Sequence, residues 1–139
     1  MTFLLDTNTC IQFLNGRSPS IRSRLTQLQS DEIALCSVVK AELIFGAIKS
    51  GRSNENISKL QHFASRFHSF PFDDQAAEKY GVVRSRLEKS GRPIGPNDLL
   101  IAAIALANKL TLVTHNIREF ERVEGLIIED WETGLPFEK

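Results

Sequence analysis

Short apolar runs alternate with longer stretches of helical periodicity along most of the chain. Four runs predict buried strands, because each is bounded by residues that favour turns or helix caps: Phe3–Leu5, Ile33–Cys36, Leu112–Val113 and Leu126–Ile128. Phe70–Phe72 is a fifth candidate. Pro71 restricts it to the edge of a sheet, because proline has no N–H to donate to a central ladder.

The stretches between these runs predict helices. One is expected to carry Cys10 to Leu14 and to end at Asn15-Gly16, and a second opens at Pro19 and includes Leu28. Four more are expected, the first of them capped by Ser37: Val38–Lys49, Glu55–Phe67, Ala76–Lys89 and Asp98–Leu110. The alternation of strands and helices indicates an α/β sandwich with a mostly parallel sheet.

Length and composition favour one globular domain over residues 1–139. Apolar residues make up 42% of the chain and the mean hydropathy is −0.15. No run approaches the ~20 apolar residues that a membrane span requires, and the start lacks the basic flank of a signal peptide. A cytoplasmic protein is therefore expected. Cys10 and Cys36 do not form a CxxC pair and are expected to be small buried residues.

The charge balance limits how the protein can attract a polyanion. The chain has 17 basic and 17 acidic residues, so its formal net charge is zero and no overall positive field attracts nucleic acid. A polyanionic ligand must therefore be held locally. The sequence has no GxxxxGK[ST] phosphate loop, and Gly91 and Gly95 lack the strand-to-helix context of a dinucleotide fingerprint. ATP and NAD are not indicated.

Four carboxylates stand at the edges of apolar runs: Asp6, Glu42, Asp98 and Glu119. Asp6 ends the first predicted strand, and open parallel sheets bind ligands beyond the carboxyl ends of their strands. Acids that converge there repel one another unless a cation joins them. Ligands that are all oxygen atoms select hard cations, so the pattern predicts Mg²⁺ or Mn²⁺ rather than zinc.

Three of these acids also have local explanations. Asp6 suits a turn or a helix cap, and Asp98 suits the first turn of a helix, where Asn97 is an alternative cap. Glu119 lies between two arginines and suits a solvated surface. Glu42 is harder to explain locally, since its helical neighbours are apolar residues and glycine. A ligand role is favoured for Glu42.

His115 is the only histidine expected to approach the acids. A structural or supporting role is favoured for it over catalysis. His62 and His68 are six residues apart and do not share a helical face at ligand spacing.

Four motifs follow one another in order: Asp6-Thr7-Asn8 after a strand, Ala41-Glu42-Leu43 followed by Gly46, the segment from Gly91 to Asp98, and Thr114-His115-Asn116 with Glu119-Phe120. Together they resemble the PIN-domain ribonucleases, and more narrowly the VapC toxins of type II toxin–antitoxin modules. The resemblance runs from Phe3 to Trp131.

The resemblance implies a three-layer α/β/α sandwich with about five parallel strands. It also implies dependence on Mg²⁺ or Mn²⁺, endonucleolytic cleavage of RNA, homodimerisation, and inhibition by a VapB-type antitoxin. By this resemblance Asp6 and Asp98 are the primary metal ligands, and Glu42 and Glu119 complete the pocket directly or through water. Asn116 stands where many PIN domains have aspartate, so the fourth charge is expected from Glu119.

Short polar side chains near the acids are expected to orient the carboxylates without ligating metal: Thr7, Asn8, Thr114 and Asn116. Capping and turn formation are the alternative roles. The implied reaction is RNA hydrolysis by metal-activated water, which leaves a 5′-phosphate and a 3′-hydroxyl. Four basic side chains are candidates for binding the RNA backbone, with a solvated helix face as the alternative: Arg84, Arg86, Lys89 and Arg92.

Three other functions fit an α/β domain with acids at strand ends. A non-catalytic phospho-receiver ordinarily has an adjacent acidic pair and a late lysine, and Asp6 has no acidic neighbour. A haloacid-dehalogenase-like phosphatase needs aspartate two residues after its nucleophile, and that position is Asn8. The third is an idle RNA- or protein-binding module.

Overall fold

The computed structural model describes residues 1–133. Its five strands are β1 (Phe3–Leu5), β2 (Ile33–Cys36), β3 (His68–Phe70), β4 (Thr111–Val113) and β5 (Ile127–Glu129). Seven α-helices are present in this part of the chain: α1 (Thr7–Leu14), α2 (Pro19–Gln27), α3 (Ser37–Lys49), α4 (Ser53–Ala64), α5 (Asp74–Lys89), α6 (Pro96–Ala107) and α7 (Ile117–Phe120). A short 3₁₀ helix, Ser30–Glu32, precedes β2.

The strands form one parallel sheet in the order β3-β2-β1-β4-β5. The three central strands are buried along their whole length, whereas β3 and β5 at the edges are partly exposed. Helices cover the sheet in a three-layer α/β/α sandwich, which confirms the predicted fold class. No helix in residues 1–133 is long and apolar enough to cross a membrane.

The strand order fixes where a ligand can bind. From β1 the chain proceeds outward to β2 and β3, and then crosses back to place β4 on the other side of β1. This reversal between β1 and β4 is a topological switch point, where open α/β sheets have their crevice. The first residue beyond β1 is Asp6, whose backbone N–H donates to the carbonyl of Val113 at 3.0 Å.

Several predicted elements differ from those observed. Phe70–Phe72 is wrong as a strand: the edge strand is His68–Phe70 and stops before Pro71, which cannot continue the ladder. The 3₁₀ helix and α7 are both too short to show periodicity and were not predicted. The predicted burial of Cys10 and Cys36 is confirmed.

The predicted helix ends also need correction. Glu55–Phe67 is shifted to Ser53–Ala64, and Ala76–Lys89 begins earlier, at Asp74, because the Asp73 side chain accepts from the N–H of Ala76. Asp98–Leu110 is observed as Pro96–Ala107: it begins earlier, at Pro96, where a missing N–H costs nothing, and it ends three residues earlier. Ser37 is the first residue of α3 rather than its cap, and Leu28 lies just past the end of α2.

Candidate metal-binding active site

Asp6 occupies the crevice at the end of β1 and also caps α1. Its Oδ1 accepts a hydrogen bond from the backbone N–H of Thr9 at 2.8 Å. The residue as a whole is 7% exposed. Burial raises the pKa of Asp6, although hydrogen bonding from Thr114 and Thr9 acts in the opposite direction. The local explanation, a helix cap, therefore holds for a carboxylate that also lies in the crevice.

Glu42 reaches the crevice from the second turn of α3. It accepts a hydrogen bond from the hydroxyl of Thr7 and another from Nδ2 of Asn97, at 2.9 Å. The two donors belong to α1 and α6, so both neighbouring helices hold this carboxylate in place. Asn97 is therefore not the cap of α6, which begins after Gly95, but a partner of Glu42.

Asp98 and Glu119 form a carboxyl pair. Burial raises the pKa of Asp98 to about 7, and its hydrogen bond to Glu119 adds to the effect, as do the charges of Glu119, Asp6 and Glu42. The same hydrogen bond lowers the pKa of Glu119. The pair holds a proton more readily than an isolated carboxyl does, because two adjacent charged carboxylates repel each other.

Gly95 brings the backbone close to this pair. Its N–H donates to Oε1 of Glu119 at 3.4 Å. A side chain at this position would stand 3.6 Å from Asp98 Oδ2 and 3.7 Å from Glu119 Oε1. These are ordinary van der Waals distances for a β-carbon, so they show how closely the backbone at Gly95 passes both carboxylates.

The four predicted acids come together at one edge of the sheet. A cleft of about 260 Å³ is lined by Asp6, Glu42 and Asp98 along with Thr7, Asn8 and Asn116, and none of its lining residues is basic. Glu119 joins the group through Asp98. We call this the acid cleft.

The side chains of the acid cleft are partly engaged with protein donors. Asp6 accepts from Thr9, and Glu42 accepts from Thr7 and Asn97. As they stand, no three His, Cys, Asp or Glu side chains within residues 1–133 are grouped tightly enough to hold one metal ion. Binding an ion there would therefore require side-chain rotations, in which Glu42 would exchange its hydrogen bonds from Thr7 and Asn97 for contact with the ion.

The four predicted supporting residues all lie at the cleft. The hydroxyl of Thr7 donates a hydrogen bond to Glu42. The buried Thr114 hydrogen-bonds the Asp6 carboxylate, and its hydroxyl oxygen accepts the N–H of Asn116 at 3.0 Å. Asn116 also lowers the pKa of Glu119. Asn8 lines the cleft and donates to Glu132 at 3.3 Å, so its observed partner is not one of the four acids.

The predicted basic residues lie on α5 and in the loop that follows it. Arg84 is paired with Glu88 at 2.8 Å, and Arg86 is paired with Glu124 at 3.2 Å. Both arginines are exposed, and Lys89 and Arg92 are exposed as well. The ion pairs reduce the positive charge available to RNA, which agrees with the alternative of a solvated helix face for the first two. Their role in RNA binding stays a prediction.

Comparison with known proteins agrees with this fold. The PIN domain family matches residues 3–126. The chain is 43% identical to Ribonuclease VapC2 of Rickettsia felis, covering 95% of this chain and 99% of that protein. It is 40% identical to the tRNA(fMet)-specific endonuclease VapC of Salmonella typhimurium, covering 94% and 98%.

Solved structures give the same result. The DNA-bound VapBC of Salmonella typhimurium matches with a TM-score of 0.89 at 40% identity, covering 94% of this chain and 98% of that one. The promoter-bound VapBC2 of Rickettsia felis matches with a TM-score of 0.87 at 41% identity, covering 94% and 99%. The chain belongs to the PIN-domain family. Within that family it groups with the VapC ribonucleases.

Proposed function

We propose that this protein hydrolyses RNA phosphodiester bonds with the help of Mg²⁺ or Mn²⁺ held in the acid cleft by Asp6, Asp98, Glu42 and Glu119. As a VapC protein it is an endoribonuclease toxin that a VapB-type antitoxin neutralises. The observation that carries the metal proposal is the convergence of four carboxylates at the switch point of the sheet, with no basic residue lining the cleft.

The residues of the acid cleft fit a hard divalent cation. All the candidate donors are carboxylate, hydroxyl or amide oxygens, the ligands such cations prefer. Burial, the hydrogen bond to Glu119 and the nearby charges of Glu119, Asp6 and Glu42 all raise the pKa of Asp98, and a bound cation would offset the cost of its charged form. Asp6 and Asp98 are the proposed primary ligands, and Glu42 and Glu119 complete the set directly or through water.

The protein's own residues prepare the cleft for the reaction. Thr9 and Thr114 hydrogen-bond Asp6, and Thr7 and Asn97 hydrogen-bond Glu42, so before a cation binds these carboxylates are kept at the cleft. When bound, the cation supplies positive charge that lowers the pKa of the attacking water and stabilises the departing 3′ oxygen. The cleft then attracts the phosphate that its bare carboxylates would repel.

The chemistry of the RNA ends tests this function. Purified protein with Mg²⁺ should leave a 5′-phosphate and a 3′-hydroxyl at each cut, because water attacks phosphorus and the 2′-hydroxyl takes no part. Sequencing libraries that require a 5′-phosphate should capture the fragments. A 2′,3′-cyclic phosphate at the cut would contradict the proposal and indicate acid/base cleavage through the 2′-hydroxyl.

Transfer RNA is the first substrate to examine. Two relatives, from Salmonella typhimurium and Shigella flexneri, are named as tRNA(fMet)-specific endonucleases, at 40% and 41% identity. We propose that this chain also cleaves a transfer RNA, and mapping of cut sites in total RNA would identify which one.

A second cleft adjoins the acid cleft and suits the antitoxin. Its volume is about 250 Å³, its lining is mainly apolar, and it lies between α1, α3 and α4. Glu42 lines both clefts. We propose that an apolar segment of the antitoxin occupies this second cleft, because a chain lying there would reach the carboxylates and block them.

Filling the second cleft should separate cleavage from neutralisation. Gly46 lines it, and nothing lies within 4 Å of a side chain added there. We expect Gly46→Trp to weaken inhibition by the cognate antitoxin about tenfold or more by obstructing its seat, with cleavage of RNA kept within about twofold. Inhibition constants measured on the cleavage reaction would show this.

Gly81→Trp is the matched control, since Gly81 is also helical and open. Unchanged inhibition of Gly46→Trp would contradict the proposed seat.

Homodimerisation stays a prediction, and Phe45 and Ile48, which are 65% and 59% exposed on α3, are apolar residues available for it. Cytoplasmic location and a single domain over 1–139 also stay predictions, the last six residues lying outside the described part.

A further inference from the structure

An exposed histidine stands beside the acid cleft in contact with a mostly buried aspartate. His115 follows the buried Thr114 at the end of β4, and its side chain is 58% exposed. Its Nδ1 lies 2.9 Å from Oδ2 of Asp130, whose side chain is 14% exposed. Neither residue belongs to the proposed metal site, so this pair has no role in the function described so far.

The structure holds Asp130 firmly. Its Oδ1 accepts the backbone N–H of Glu132 at 2.9 Å, which leaves Oδ2 for the imidazole. Glu132 in turn accepts from Nδ2 of Asn8, a residue that lines the acid cleft. The histidine ring is therefore fixed through Nδ1, and Nε2, on the opposite side of the ring, is left for another partner.

We propose that His115, positioned by Asp130, donates a hydrogen bond from Nε2–H to a phosphate oxygen of the RNA backbone next to the cleaved bond. This inference rests on the proposed RNA hydrolysis. A cation in the acid cleft would contact the phosphate at the cleaved bond. None of the described residues that line the cleft is basic. A neighbouring phosphate at the rim needs its own donor, and phosphate contacts are what position RNA on a protein.

The contact requires the protonated ring. Imidazole donates from both nitrogens only as a cation, and Asp130 already accepts the Nδ1–H. The hydrogen bond to Asp130 raises the pKa of His115, and the charges of Asp130, Glu132 and Asp6 act in the same direction. These carboxylates face the ring from the segment after β5 and from the end of β1. The contact should therefore persist to a higher pH than an isolated histidine would allow and disappear as the pH rises further.

Binding of unfractionated transfer RNA in EDTA tests the contact without cleavage, because the phosphate proposed for His115 lies at the rim and not at the metal site. We expect His115→Ala to weaken binding about fivefold at pH 6, the effect of one charge-assisted hydrogen bond. At pH 9 the wild type should bind no better than this variant. His115→Arg should keep the affinity at both pH values. Asp130→Asn should bind normally at pH 6 but lose affinity at a lower pH than the wild type.

His62→Ala, at an exposed position on α4, is the matched control and should bind as the wild type does. Equal affinity of His115→Ala and wild type at pH 6 would overturn the proposal, as would an equal loss in His62→Ala. A fall in kcat of His115→Ala with unchanged affinity would also overturn it. Failure of the wild type to cleave RNA with Mg²⁺ would instead overturn the proposed function, because the binding assay contains no metal.

Discussion

Asp98→Asn should reduce RNA cleavage about a thousandfold, because metal charge stabilisation at a reacting phosphate is worth several kcal/mol. Asparagine keeps the size of the side chain but removes its charge, so a hard cation loses a primary ligand. The fold should survive. Burial already disfavours the charged form of Asp98, and its replacement relieves repulsion from Glu119, Asp6 and Glu42. Single-turnover cleavage and thermal unfolding of the same preparation would measure both effects.

Asp74→Asn is the matched control for this substitution. Asp74 also lies in the first turn of a helix, α5, and it is exposed. Both substitutions remove an acid that favours a helix N-terminus, an effect of about 0.3–1 kcal/mol. Only Asp98→Asn should abolish cleavage. Cleavage by Asp98→Asn at near wild-type rate would remove Asp98 from the active site.

Withdrawal of divalent cations should abolish cleavage completely. EDTA leaves the acid cleft with uncompensated carboxylates that repel the RNA phosphate, and no basic residue lines the cleft to replace the metal. Addition of Mg²⁺ or Mn²⁺ in excess of the chelator should restore the rate, whereas monovalent salt at equal ionic strength should not. Cleavage assays with each cation in turn would show this.

Cleavage that continues in EDTA would contradict a metal-dependent mechanism. It would also require a catalytic group outside the four acids. His115 is the histidine closest in sequence to the site, and its bond to Asp130 makes it the first residue to examine in that case. No activity with any cation and any RNA would favour the idle binding module. The phospho-receiver and the phosphatase lose their support, because the chain belongs to the PIN-domain family.

The central sheet was predictable because its strands are buried on both faces. Phe3–Leu5 and Ile33–Cys36 are continuous apolar runs, and they are observed with those limits. The edge strand His68–Phe70 is partly exposed and has no such run. The two phenylalanines on either side of Pro71 placed the predicted strand two residues too late, at Phe70–Phe72. Helix starts were late where caps or Pro96 extend the first turn beyond the apolar pattern.

Asp6 was predictable from its place after a strand and Glu42 from its apolar helical neighbours, whereas Asp98 and Glu119 were assigned through the family resemblance. Their partners were not. Asn97 bonds Glu42 across 55 positions of sequence, and only the packing of α6 near α3 brings them together. Thr9 was missed as well, although Asp-x-x-Thr after a strand is compatible with an aspartate cap. Gly95 lies in a predicted loop, and its closeness to two carboxylates depends on tertiary contacts.

A crystal structure of the protein with Mn²⁺ tests the central claim most directly. Anomalous scattering would locate the ion without reference to the expected ligands. We predict one Mn²⁺ in the acid cleft, with oxygen atoms of Asp6 and Asp98 in direct coordination and Glu42 or Glu119 rotated toward it. Manganese bound elsewhere, or an acid cleft whose carboxylates keep their present partners at saturating Mn²⁺, would contradict the claim.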